Sequence, residues 1–93
     1  MTEELRLLIE RAASELVAAG AREVYLFGSA AWGTMREGSD VDFAVAGLPP
    51  ERFFAAMGRA ARILDRDIDL IDLDEVTPFT RYLREEGELV RVR

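Results

Sequence analysis

Histidine, cysteine, lysine, asparagine and glutamine do not occur in this sequence. Without cysteine there is no disulfide, no thiolate nucleophile and no cysteine zinc site. Without histidine there is no Ser-His-Asp triad, no imidazole general acid and no imidazole metal ligand, so chemistry here has to run on carboxylates. All 12 basic residues are arginine; that bias, and the lack of the thermolabile Asn and Gln, fits a GC-rich genome or a warm habitat and carries no functional message. Positive charge is itself in deficit, 12 basic against 18 acidic residues for a net charge of −6. Direct nucleic-acid binding through phosphates normally needs a basic face, whereas a basic or amphipathic protein partner suits this balance. No run approaches the roughly 20 apolar residues of a membrane helix. Met1-Thr2-Glu3-Glu4 lacks the basic region and apolar core of a secretory signal, so a cytoplasmic protein is expected.

What is present fits one small folded unit. At 93 residues, 49% hydrophobic and 32% charged, the chain reads as one domain over residues 1–93, near the lower size at which a core sustains folding alone. Thr2 caps a first helix with Glu3 and Glu4 in its positive first turn and an apolar stripe of Leu5, Leu8, Ile9, Ala12 and Leu16, ended by Gly20. Glu23 to Phe27 reads as a strand, followed by Gly28-Ser29 and a short segment from Ala30 to Gly33. Thr34 to Ser39 is a loop and Val41 to Ala46 a second strand. Gly47-Leu48-Pro49-Pro50 turns into a helix starting at Pro50 or Glu51, with Phe53, Phe54, Met57, Ala60, Ala61 and Leu64 as its buried face. Asp67 to Leu73 is a third strand, Thr77-Pro78 opens a short helix to about Glu86, and Glu88 to Val92 is a final strand. The order implies an α/β (α+β) fold, a sheet of about four strands with helices packed on it.

Three pieces carry chemistry. Side chains alternate along a strand, so Asp40 and Asp42 share one side while Val41, Phe43 and Val45 take the other. Two carboxylates roughly 7 Å apart along a strand suit one hard cation or a pair, although a D-x-D alone also describes a solvated strand start. Asp69 repeats the logic between Ile68 and Leu70, a charge in a core-like strand that a cation would offset. Asp67 shares its face and competes for the role, whereas Asp72 falls on the other. Gly28-Ser29 is a corner where the backbone approaches closely and a hydroxyl starts a short helix, either to meet phosphate oxygens or merely to cap that helix.

Taken together, Leu26-Phe27-Gly28-Ser29-Ala30-Ala31-Trp32-Gly33, then Gly38-Ser39-Asp40-Val41-Asp42-Phe43-Ala44-Val45, then Ile68-Asp69-Leu70, resemble the hG[GS] … Dh[DE]h signature and later hDh carboxylate of polymerase β-like nucleotidyltransferases. The resemblance runs from the first strand to the third, and the closest branch is the minimal nucleotidyltransferases. Many minimal members carry basic residues in the Gly-Ser helix, where this chain has Ala30 and Trp32; Arg36 lies near enough in sequence to compensate.

The resemblance implies a two-metal mechanism with Mg²⁺, or Mn²⁺, held by Asp40, Asp42 and Asp69. In that mechanism an acceptor hydroxyl attacks the α-phosphate of ATP or another NTP and pyrophosphate leaves. Gly28, Ser29 and Ser39 would then contact the nucleotide. Two ions about 3.5–4 Å apart stabilise the entering and leaving oxygens of such a displacement, and no histidine is needed. Minimal members are commonly encoded beside HEPN-domain proteins as antitoxins, some of which transfer AMP to a tyrosine of the HEPN toxin. An adenylylating antitoxin with a HEPN-domain partner is therefore the leading expectation. A non-catalytic antitoxin that masks its partner, and a homo-oligomeric transferase for small hydroxyl compounds, are the alternatives. Trp32 and Phe79 are the candidates for docking energy, Trp32 being equally able to pack its short helix onto the sheet.

Overall fold

The computed structural model describes residues 1–35 and 38–93. Helix α1 spans Glu3–Ala18, started by the Thr2 hydroxyl, which accepts from the Leu5 N–H at 3.1 Å, with Glu3 and Glu4 against the positive end of the helix. Its buried side is Ile9, Ala12, Ala13 and Leu16. Then come β1 (Glu23–Phe27), α2 (Gly28–Trp32), β2 (Val41–Ala46), a 3₁₀ turn at Pro50–Arg52, α3 (Phe53–Leu64), β3 (Ile68–Asp72), α4 (Pro78–Glu85) and β4 (Val90–Arg91).

The sheet order is β3-β2-β1-β4. β1 runs antiparallel to both β2 and β4, while β2 and β3 are parallel, as expected where a helix, here α3, makes the crossover. Strand alternation divides the core. Val24, Leu26, Val41, Phe43, Val45 and Leu70 join the buried residues of α1 and α3 on one face. Phe27, Ala44 and Ala46 pack with Leu73 and with Leu83 of α4 on the other. Asp42, between Val41 and Phe43, belongs by the same alternation to the α4 face.

Several sequence-based expectations are corrected. Phe54 is not core but 75% exposed. The first turn after Pro49 is 3₁₀, α3 starts at Phe53, and its buried stripe is Ala56, Ala60 and Leu64. The helix at Gly28 begins two residues earlier than expected. β3 is one residue shorter at each end, and β4 is confined to Val90–Arg91. α4 starts where the Thr77-Pro78 signal placed it, within a reciprocal cap. The Thr80 N–H donates to the Thr77 hydroxyl at 3.1 Å and the Thr77 N–H to the Thr80 hydroxyl at 2.9 Å.

Candidate active site

β1 reaches its end at Phe27 in extended conformation and the chain turns at Gly28, whose φ of +64° is a left-handed value that disfavours other residues. The missing side chain at Gly28 is also a matter of space. A Cβ there would overlap Oδ2 of Asp42 and lie 3.4 Å from its Cγ. The Asp42 carboxylate thus rests against the bare backbone of the Gly-Ser corner. The residue preceding α2 is Phe27, and no side chain caps the helix. The hydroxyl of Ser29 makes no hydrogen bond among the described residues, so it is not used up as a cap.

The sheet register brings in the second carboxylate. Asp42 pairs with Phe27 across the β1–β2 ladder and with Asp69 across the parallel β2–β3 ladder. Aligned residues of neighbouring strands project to the same side, so Asp42 and Asp69 stand together. Asp42 is half-buried and Asp69 exposed. The Asp42 carboxyl is pushed up to about 6, first by burial, then by its hydrogen bond with Asp69 and the charges of Asp69 and Asp40.

Asp40 lies just ahead of β2 and is exposed. It reaches the pair through charge. Among the described residues no group of three or more acidic side chains is gathered tightly enough to hold one ion, and none of Asp40, Asp42 and Asp69 forms an ion pair. Asp42 and Asp69, joined by a hydrogen bond and without an arginine partner among the described residues, are hard oxygen donors of the kind Mg²⁺ or Mn²⁺ takes, with Asp40 acting on them through charge.

Ser39 is half-buried, and its carbonyl accepts from Arg66 Nη1 at 3.2 Å, tying the entry of β2 to the loop before β3. Asp67, the rival to Asp69, precedes β3, where its carbonyl accepts from the Val41 N–H at 3.3 Å. Asp72 aligns with Val45 on the α1/α3 side and lines a surface cleft with Phe53 and Phe54, away from the site. Arg36 lies outside the described residues. Ala30 is buried, whereas Trp32 is 62% exposed and does not pack α2 onto the sheet. Two contributors had little or no signal in the sequence. Phe27 is placed beside Asp42 only through the antiparallel register, and Arg66 meets Ser39 across 27 positions of chain.

The profile of the family described as Polymerase beta, Nucleotidyltransferase matches residues 17–93, and the chain belongs to that family. A solved structure described as a minimal nucleotidyltransferase is 27% identical, with a TM-score of 0.78, over 95% of this chain and 92% of its own. A toxin–antitoxin structure with AMP-PNP is 26% identical, with a TM-score of 0.72, over 90% of this chain and 72% of the other. The fold also matches, at 21% identity and a TM-score of 0.69 over 96% of this chain and 71% of that one, a structure of a tri-AMPylated Shewanella oneidensis HEPN toxin in complex with its MNT antitoxin. No curated protein matches. No helix of the described residues is long and apolar enough to cross a membrane.

Proposed function

We propose that residues 1–93 form the nucleotidyltransferase of a toxin–antitoxin pair, which moves AMP from ATP to a hydroxyl of a HEPN-domain partner in the cytoplasm. The observation that carries this reading is the parallel register that seats Asp42 beside Asp69, with the Asp42 carboxylate filling the space left by the missing Cβ of Gly28. The structures of relatives with AMP-PNP and with an AMPylated HEPN toxin support the choice of nucleotide and of partner.

Divalent cations held by Asp40, Asp42 and Asp69 would supply charge stabilisation for the entering and leaving oxygens. The Gly28 backbone, the Ser29 hydroxyl and Ser39 would hold the triphosphate, so that the α-phosphorus faces the carboxylates. Asp69, the exposed member of the pair, would stand on the acceptor side and favour loss of the proton from the acceptor hydroxyl. The acceptor oxygen bonds to the α-phosphorus, the bridging oxygen between the α and β phosphates leaves with its electron pair, and pyrophosphate departs. Positioning and fixed charge account for most of the rate in such a displacement.

The test is to incubate the purified chain with ATP labelled at the α-phosphate, Mg²⁺ and a HEPN-domain partner. Label should appear on the partner, and Asp42→Asn or Asp69→Ala should abolish its transfer. Neutralisation of the partner without label would identify a masking antitoxin. Label on a small hydroxyl compound in the absence of any partner would identify a small-molecule transferase.

A further inference from the structure

Phe79 sits in the first turn of α4, 46% exposed, and its ring meets that of Phe27 edge to face, with centroids 5.8 Å apart and planes at 70°. Leu83, not Phe79, is the large apolar residue that α4 buries against the sheet. Phe27 ties the Phe79 ring to the site in two ways. It is the cross-strand partner of Asp42, and it immediately precedes Gly28 and Ser29. A ring in contact with Phe27 therefore lies on the α4 face of the sheet, the face to which Asp42 and Asp69 belong, beside the residue that leads into the Gly-Ser corner. Phe27 covers part of that ring, and a large part of the remainder is open to solvent.

We propose that Phe79 is a positioning residue that stacks on the nucleobase of the bound nucleoside triphosphate. The inference rests on the nucleotidyltransferase reading above and extends it to the substrate class. With the phosphates at Gly28, Ser29 and the carboxylates, the base lies one ribose away, and it is the planar, largely apolar part of the substrate. An aromatic side chain at the rim of the site matches it. Of its neighbours in the helix, the Thr80 hydroxyl is turned inward and donates to the Glu75 carbonyl at 2.8 Å, and Arg81 lies 3.8 Å from Glu85. Recognition through the ring face reads π-surface and not the hydrogen-bonding edge. The site accordingly favours purine over pyrimidine nucleotides and discriminates little between ATP and GTP.

Calorimetric titration with ATP, GTP, CTP and inorganic tripolyphosphate, each with Mg²⁺, tests this on the wild type, Phe79→Leu and Phe79→Tyr. Leucine keeps apolar packing on Phe27 but removes the ring; tyrosine keeps the ring. The expected result is that Phe79→Leu weakens ATP and GTP by about tenfold, leaves tripolyphosphate unchanged, and is matched by no such loss in Phe79→Tyr. Equal ATP binding by wild type and Phe79→Leu would overturn the stacking role while leaving the transferase reading intact. Equal losses for ATP and tripolyphosphate would overturn it too, by showing that Phe79 only supports the fold. A wild-type chain that binds neither ATP nor tripolyphosphate would remove the nucleotidyltransferase reading and the stacking role with it.

Discussion

Asp42 carries a stability cost whose sign follows from proton counts. Its carboxyl is raised from an ordinary 3.8 to about 6 in the folded chain, so between those pH values the folded state binds more protons than the unfolded one. Stability therefore falls as pH rises through that window and stays low above it. Two pKa units correspond to about 3 kcal/mol, which solvent screening of a half-exposed side chain reduces to about 1 kcal/mol. Asp42→Asn is expected to raise the melting temperature of the ligand-free protein by a few degrees at pH 8 and by nothing at pH 3.5. With Mg²⁺ and ATP the order should reverse, because only the wild type gains the binding energy of the complex. A second comparison separates backbone strain from site geometry. Gly28→Ala and Gly33→Ala both place a side chain at positive φ, +64° and +70°, at about 1–2 kcal/mol each. Only at Gly28 does the new Cβ collide, and it collides with Asp42, whereas nothing lies within 4 Å of one at Gly33. Both variants should melt earlier in a thermal scan, and only Gly28→Ala should lose Mg²⁺-dependent ATP binding by calorimetry.

Element by element, α4 depends on one small polar side chain. Thr80 is 4% exposed, and its hydroxyl donates to the Glu75 carbonyl while accepting from the Thr77 N–H. Thr80→Val keeps the shape but strands those partners, which costs about 1–3 kcal/mol; Thr80→Ser should keep most of the stability. Urea unfolding measures the difference, and faster amide exchange confined to residues 77–86 would locate it in α4. The Thr77-Pro78 start of this helix was legible because cap and proline act locally, and so were the bounds of β1 and β2, where β-branched and aromatic residues are framed by glycine, serine and aspartate. The alternation that sets Asp42 against Val41 and Phe43 was legible for the same reason. Phe54 stays outside the core because a hydrophobic stripe weighs side-chain size, whereas α3 turns alanines inward: Ala56 and Ala60 are fully buried in the same cluster as Ala12 and Ala13 of α1. β4 ends sooner than its sequence implies because its pairing with β1 loses regular ladder geometry after Arg91, although Val92 and Arg93 still bond backbone to backbone with Val24. Alternation set Asp42 and Asp69 each against apolar neighbours, but their residue-by-residue alignment had no local signal. It arises from strand order and register, which the α3 crossover sets through packing of α3 against α1 and the sheet.

At the scale of the whole molecule, Phe27 ends β1 at the same end of the sheet where Asp42 and Asp69 begin their strands, so a partner presenting a hydroxyl has to cover that end. Stable protein interfaces of ordinary size bury about 800 Å² on each side, and this chain exposes 5597 Å² in all. The docking surface therefore takes up a sizeable fraction of the molecule and extends well beyond one exposed carboxylate. Asp69→Ala is accordingly expected to abolish AMP transfer while leaving the complex with the HEPN-domain partner intact. Mass spectrometry of the co-expressed partner reads the first half, as an added mass of one AMP per modified residue with the wild type and none with the variant. Co-purification reads the second half, with both chains retained in equal amounts from wild type and variant. The net charge of −6 adds a condition: if the partner's contact surface is basic, raising the salt concentration should slow association more than it speeds dissociation. A folded Asp69→Ala chain that lost the complex together with the modification would show that catalysis and docking share the same few side chains, and their separation would have to be given up.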